Sequence, residues 1–416
     1  MNITVNPSDL RGSVEAPSSK SLTQRAIAAA ILTGGTTVIR NPSYCNDSLA
    51  AMRIAVELGA TVHRESDRIT VIAGTVPGGS LTLNCSESGL ALRMFAPLAA
   101  LLSGSVTLIG EGSLTRRPVS MISEALSQLG VKVETSGGLL PVKLTGELRA
   151  GRAFVDGSAG SQLLTGLLMA LPVAGAESRL DVANLTSKPY IDLTLGMLSD
   201  FGISVMNDGY KTFVIPGNQH YIPHELTVEG DWSAAALMLV AGATGGRVTV
   251  SNISPDSLQA DRAILQALRD AEASLEVESG SITAQVSGLS AFTFDATDSP
   301  DLFPPLAALA ASCDGVTRIR GVDRLRHKES DRAEAIAEVL GAMKIDVRLS
   351  GDEMIITGGQ AQGAVVSSHN DHRIAMMAAV MAAGAAGAVT ITGAESVSKS
   401  YPDFFEDLAR LGARIA

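Results

Sequence analysis

Six times along the chain a helix-length apolar run is followed by a turn and a short β-branched strand, and this repetition limits the fold more than any other feature. The runs are AIAAAIL after Arg25, the segment Gly89–Leu102, LLTGLLMALPVAG after Gln162, AAALMLVAGA after Ser233, LFPPLAALAAS after Asp301 and IAMMAAVMAAG after Arg373. A helix that is apolar on every side is buried rather than laid on a surface. Between consecutive runs come a strand, an amphipathic helix and further strands, such as TTVIRNP, Asp47–Leu58, ATVHRE, RITVIAG and SLTLN in the first copy. Each copy is a β-α-β-α-β-β unit, and a period of about seventy residues is too long for a solenoid turn.

The sixth copy ends at ARIA, cut short, and its missing strands stand at the other end of the chain. ITVNP and SVEAP take the places of RITVIAG and SLTLN, so Ile3–Val5 is expected to pair with Ala413–Ile415. Six copies divide as three and three. The expected fold is α/β with two domains of three units, one discontinuous (1–18 with 230–416) and one running from 19 to 229. The crossings near 17–20 and 229–231 would act as the hinge.

Composition narrows the function. A net charge of −11 lacks the extended basic face of a nucleic-acid or membrane-surface binder, so any anion site must be a local basic cluster. Cys45, Cys85 and Cys313 are isolated and form neither a metal pattern nor a disulfide framework. Ile374–Ala394 carries no charge and has the length of a membrane span. It contains Gly384 and Gly387 and ends in VTITG, which fits helix, turn and strand. With no signal peptide ahead of Ile3–Val5, a soluble cytoplasmic protein, acting as a monomer, is expected.

The polar residues without a structural excuse gather where the apolar helices begin. Lys20, Ser21 and Arg25 precede the first, although cations at a helix N-terminus are unfavourable unless an anion sits there. Arg116-Arg117-Pro118, Gly160-Ser161-Gln162 and Ser187-Lys188-Pro189-Tyr190 offer further cations, hydroxyls and an amide. Later come Asp301 in SPDLFPP, then Lys328, Glu329, Asp331 and Arg332 in RLRHKESDR, then Asn370-Asp371-His372-Arg373, and Lys399 in SVSKSYPDFF. Taken singly, each has an ordinary explanation: a capping serine or aspartate, a solvated loop, a packed histidine. Taken together they recur at equivalent ends of the repeat. Lys20, Arg117, Arg332, Arg373 and Lys399 then make a cationic excess suited to a substrate pair bearing phosphate and carboxylate.

In SKSLTQRA, SQLLTGLLMA, SKPYIDLTL, VEGDWSAA, SPD, HKESDR, NDHRIAM and KSYPDFF the chain resembles the 5-enolpyruvylshikimate-3-phosphate synthases (3-phosphoshikimate 1-carboxyvinyltransferases) of the enolpyruvyl transferase family. The resemblance covers essentially the whole chain. It implies an inside-out α/β barrel in each of two domains and transfer of enolpyruvyl from phosphoenolpyruvate to the 5-hydroxyl of shikimate 3-phosphate, with no metal or organic cofactor. By motif, Lys20 corresponds to a ligand shared by both substrates. Ser21, Arg25, Ser161, Gln162, Ser187, Tyr190, Asp301 and Lys328 correspond to the shikimate-phosphate site. Gly89, Arg117, Gln162, Arg332, His372, Arg373 and Lys399 correspond to the phosphoenolpyruvate site. The resemblance also makes Asp301 the base for the hydroxyl and Glu329 the group handling the proton at the methylene carbon.

The chain departs from the family pattern in three places. Glu87-Ser88-Gly89-Leu90 replaces a common Asn-Ala-Gly-Thr, Gly160 replaces a serine before Ser161, and Arg324 replaces an asparagine. Two rivals are the sister UDP-N-acetylglucosamine enolpyruvyl transferases, which carry a reactive cysteine where this chain reads SLTRRPVS, and a non-catalytic anion-binding clamp.

Overall fold

The computed structural model describes residues 1–416. They form two compact units, one of Ser18–Val228 and one of Met1–Pro17 with Glu229–Ala416. The strands make six four-stranded sheets.

In the Ser18–Val228 unit the apolar helices are Lys20–Ala30, Gly89–Leu102 and Gln162–Ala170. Each carries aliphatic side chains all round, and Ala26–Ala30, Met94–Ala100 and Leu163–Ala170 are buried. The Gly89 and Gln162 helices meet closely at Gly166, where a Cβ would fall 2.9 Å from Met94 Cα. Only glycine allows that approach. In the other unit Trp232–Gly245, Phe303–Ala311 and His372–Ala383 form an equivalent buried trio. The uncharged segment from Ile374 thus resolves into the rest of that last helix, a turn, and the strand Val389–Thr392. No helix is long and apolar enough to cross a membrane.

One sheet rule covers four copies. The strand before the apolar helix pairs in parallel with the strand after it, and a β-hairpin closes the sheet: Leu81–Asn84 with Ser105–Ile109, Arg152–Asp156 with Ser178–Ala183, Thr293–Asp295 with Val316–Arg320, and Ala364–Ser367 with Val389–Thr392. The other two copies exchange strands. Leu10–Glu15 leads into the Lys20 helix but pairs with Gly246–Ser251, Leu10 opposite Gly246 and Glu15 opposite Ser251. Glu225–Thr227 leads toward the Trp232 helix but pairs with Thr36–Arg40. Periodicity gives SVEAP the place of SLTLN in the sixth copy and does not single out Glu225–Thr227 as a strand. In the structure Leu10–Glu15 instead closes the sheet of the fourth copy, and each of the two is the closing strand of the unit the chain is about to leave.

The two ends of the chain pair in one sheet. Ile3 opposes Ile391 and Val5 opposes Val389 on one side, while Val5 opposes Ile415 on the other. The hairpin arm missing after the last helix is supplied by the first residues of the chain.

Candidate functional site

At the start of the Lys20 helix, Ser19 is the N-cap, its Oγ accepting from Leu22 N at 3.4 Å. Ser21 and Arg25 are one turn apart on one face, as the spacing requires. Arg25 is buried, yet its guanidinium is fully engaged: Nε donates to Thr194 Oγ1 at 3.0 Å, Nη1 to Ser21 O and Oγ, and Nη2 to Tyr190 O at 3.4 Å. The Tyr190 ring lies 6.0 Å from the guanidinium carbon. Burial pulls the pKa of Arg25 down to about 10, so it is still a cation at neutral pH. Lys20 pairs with Asp47 at 3.0 Å, in the first turn of the helix Asn46–Glu57. Ser161 and Ser187 occupy N-cap positions, but neither side chain makes a capping bond, so the ordinary explanation for these serines fails. Ser187 also holds a left-handed φ of 59°.

The same unit gathers a second group around Gly89. A Cβ at Gly89 would lie 2.7 Å from Arg117 Nη1, 2.9 Å from Arg93 Nη1 and 3.7 Å from Gln162 Oε1. Arg93 donates to Gly89 O, to Gln162 Oε1 at 3.3 Å and to Pro118 O at 3.1 Å. Two guanidinium groups and an amide therefore converge at the N-terminus of the Gly89 helix, whose N-cap Ser88 accepts from Ala91 N at 3.2 Å. Arg117 is buried at the end of the short 3₁₀ turn Gly112–Arg116.

In the other unit the organising group is Asp301. It lies inside the 3₁₀ turn Pro300–Leu302 rather than at a cap position, and its carboxylate turns to cations. Oδ1 accepts from Arg332 Nη1 at 2.8 Å and from Lys328 Nζ at 3.3 Å, while Oδ2 accepts from Arg373 Nη2 at 3.1 Å. Burial opposes its ionisation, but Arg373, Lys328 and Arg332 outweigh burial and hold it well below the usual carboxylate range. Arg332, wholly buried, also donates to Glu329 Oε2 at 2.5 Å and to both oxygens of Asp371 at 2.9 and 3.2 Å. Asp371 is the N-cap of the last apolar helix and accepts from Arg373 N at 3.0 Å. His372 begins that helix and is buried, and Lys399 donates from Nζ to Asn370 O at 2.7 Å. Lys328, Glu329, Arg332, Arg373 and Asp301 thus form one cluster, with His372 and Lys399 on the segment beside it.

The comparisons with known proteins agree with one another. Residues 5–408 match the sequence profile described as EPSP synthase (3-phosphoshikimate 1-carboxyvinyltransferase). A 3-phosphoshikimate 1-carboxyvinyltransferase from Aeropyrum pernix is 42% identical over 99% of this chain and 96% of its own length. One from Clostridium kluyveri is 36% identical over 99% and 98%. The chain belongs to the EPSP synthase family. A 2.37 Å structure of EPSP synthase from Acinetobacter baumannii superposes with a TM-score of 0.84 at 26% identity, covering 100% of this chain and 99% of that one. The enolpyruvyl transferase NikO from Streptomyces tendae, at 20% identity and a TM-score of 0.79, shares the fold.

Cys45, Cys85 and Cys313 are all buried, and burial pushes Cys85 and Cys313 up to about 12, so neither is a thiolate nucleophile at neutral pH. The turn Gly112–Arg116 contains no cysteine. Several site neighbours carried no role in the sequence reading. Asp47 holds Lys20, Asp371 holds Arg332, and Asp261 accepts from Ser233 Oγ beside the Trp232 helix. Burial first, then the nearby Asp301 charge, lifts Asp261 to about 6. The NDHR motif carried a signal for Asp371, since an aspartate before an apolar helix is a cap. Asp47 and Asp261 meet their partners across elements distant in sequence and left no local signal. No group of three or more His, Cys, Asp or Glu side chains is arranged to hold a metal ion.

Proposed function

We propose that this chain transfers the enolpyruvyl group of phosphoenolpyruvate to the 5-hydroxyl of shikimate 3-phosphate, releasing phosphate. Family membership along nearly the full chain supports the reaction, and the observation that carries the reading at the residue level is Asp301. Arg332, Arg373 and Lys328 keep this carboxylate ionised, so it carries no proton when a hydroxyl proton has to be taken up.

The steps balance as addition and elimination. A proton adds to the methylene carbon of the donor, charge develops at the adjacent carbon, and the 5-hydroxyl oxygen bonds there as Asp301 takes its proton. The tetrahedral adduct then loses phosphate and a proton from the new methyl group, restoring the double bond. Glu329 is the proposed proton donor and acceptor at that carbon. Arg332 Nη2 donates to its Oε2 and so holds the carboxyl group in place. Lys20, Ser21, Arg25, Ser161, Gln162, Ser187, Tyr190 and Lys328 are the proposed acceptor ligands. Lys20, Gly89, Arg117, Gln162, Arg332, His372, Arg373 and Lys399 are those of the donor. Fixing both anions out of water would provide most of the acceleration.

Phosphate release on mixing the two substrates tests the reaction, and its absence refutes it. Asp301→Asn and Glu329→Gln test the division of labour. Both should cripple turnover. With an acceptor analogue lacking the 5-hydroxyl, Asp301→Asn should still exchange the donor's methylene hydrogens with solvent, and Glu329→Gln should not. Exchange at the native rate in Glu329→Gln would assign the acid elsewhere, with Lys20 first in line.

A further inference from the structure

Glu87 stands where the family resemblance leads one to expect an asparagine, and a carboxylate next to an anion site needs a reason. Its carboxylate reaches a backbone partner on a neighbouring segment. Its Oε2 accepts from Ser113 N at 2.9 Å, in the first turn of Gly112–Arg116. Gly112 makes room for this. It holds a φ of +53°, a region glycine favours, and a Cβ there would overlap the Glu87 carboxylate. Further bonds tie the same two segments. Glu111 N donates to Ser86 O at 2.8 Å, and Asn84 Nδ2 donates to Glu111 Oε1 at 2.8 Å. Glu87 is two residues before Gly89, and the turn it grips ends at Arg117, whose Nη1 comes close over Gly89.

We propose that Glu87 is a positioning residue for donor binding: its carboxylate latches the Gly112–Arg116 turn to the N-terminus of the Gly89 helix and so fixes Arg117 over Gly89. A carboxylate that accepts from Ser113 N satisfies a donor in the first turn of the 3₁₀ segment, where the backbone N–H groups lack partners within the turn. The role of Arg117 as a donor ligand rests on the proposed function; the latch itself does not.

The test has two arms. Hydrogen exchange of the backbone over residues 113–117, measured without substrate, reads the latch directly. Glu87→Ala should speed exchange there by about tenfold or more, and Glu87→Gln, which keeps an oxygen for Ser113 N, should leave it near the native rate. Unchanged exchange in Glu87→Ala overturns the latch. In turnover, Glu87→Ala should raise KM for phosphoenolpyruvate about tenfold to a hundredfold, with KM for shikimate 3-phosphate changed less than about twofold and partial recovery in Glu87→Gln. In an Arg117→Ala background, Glu87→Ala should add almost nothing. Equal effects on both substrates, or full additivity with Arg117→Ala, overturn the positioning role. If Glu87→Ala does not fold, Gly112→Ala takes its place, since its Cβ would displace the carboxylate; a native donor KM there likewise overturns the proposal. A wild-type chain that releases no phosphate would refute the proposed reaction, while the exchange result would still decide the latch.

Discussion

Arg332→Met removes one guanidinium from three carboxylates at once. Arg332 is fully buried and donates to Asp301, Glu329 and both oxygens of Asp371, which is itself fully buried. Methionine fills much of the same volume, so the loss is chiefly electrostatic. Asp371 keeps Ser330 Oγ at 3.1 Å and Arg373 N at 3.0 Å, and Asp301 keeps Lys328 and Arg373. Breaking a buried pair from one side costs about 3–5 kcal/mol, because the partner's charge stays buried without compensation. At roughly 2–4 °C per kcal/mol for a domain of this size, the melting temperature should fall by roughly 6–20 °C.

The loss should also depend on pH, and its sign is set by Asp301. In the native chain its folded pKa is depressed, so the stability it contributes is present above about pH 4 and disappears only as pH falls through the folded value. Without Arg332 one of three cations is lost and the folded pKa moves upward, while Arg373 and Lys328 still favour the ionised form. The part of the deficit that comes from Asp301 is fully present while the group is ionised in both chains and shrinks once pH falls low enough to protonate it in the variant. The deficit of Arg332→Met relative to the native chain should therefore be smaller at about pH 3 than at about pH 8, measured by thermal melting followed by circular dichroism. Adding Asp371→Asn should recover part of the loss, since one stranded charge is removed. A melting temperature within about 2 °C of native, or an equal deficit at both pH values, would refute this account of the cluster.

Gly89→Ala should raise KM for phosphoenolpyruvate about tenfold to a hundredfold with little effect on the acceptor, because a Cβ 2.7 Å from Arg117 Nη1 must push that group aside; steady-state kinetics decides. Asp261→Asn should stabilise its unit by about 2–3 kcal/mol at pH 8 and by little at pH 4. Its folded pKa is lifted to about 6, so the native chain loses that stability as pH rises from about 4 through 6; melts at the two pH values check this. Arg25→Met should abolish acceptor binding in calorimetry without destabilising the chain. Burial already works against the charge there, and the gain should lie between nothing and about 3 kcal/mol.

The repeat was legible because helices buried on every side have no polar face to confuse their boundaries, as AIAAAIL and IAMMAAVMAAG illustrate. The pairing of Ile3–Val5 with Ile415 was legible for a different reason: a truncated last copy leaves a sheet position that only the chain's other end can fill. The strand exchange between Leu10–Glu15 and Glu225–Thr227 was not legible. Both are short polar-edged strands, and nothing local says which parallel neighbour each will take. Asp301 could be read as a cap until the structure placed it within a 3₁₀ turn and gave it three cations. Helix-start motifs thus reveal which residues gather, whereas their partners depend on contacts across dozens of residues, such as Asp47 with Lys20 or Glu87 with Ser113.

The two units balance their charge differently, and under the proposed reaction the difference has a mechanistic use. Around Arg25 the guanidinium is satisfied by neutral oxygens of Ser21, Thr194 and Tyr190, so an incoming phosphate meets a cation with no carboxylate to displace. Around Arg332 and Arg373 the cations are already taken by Asp301. A donor anion that engages these two arginines must draw them from Asp301 or share them with it. Either way it weakens the field that holds Asp301 well below the ordinary carboxyl range. The carboxylate is then a stronger base with the donor in place than before it arrives. Asp301 would thus be a poor proton acceptor in the resting chain and a competent one only once there is an enolpyruvyl group to transfer.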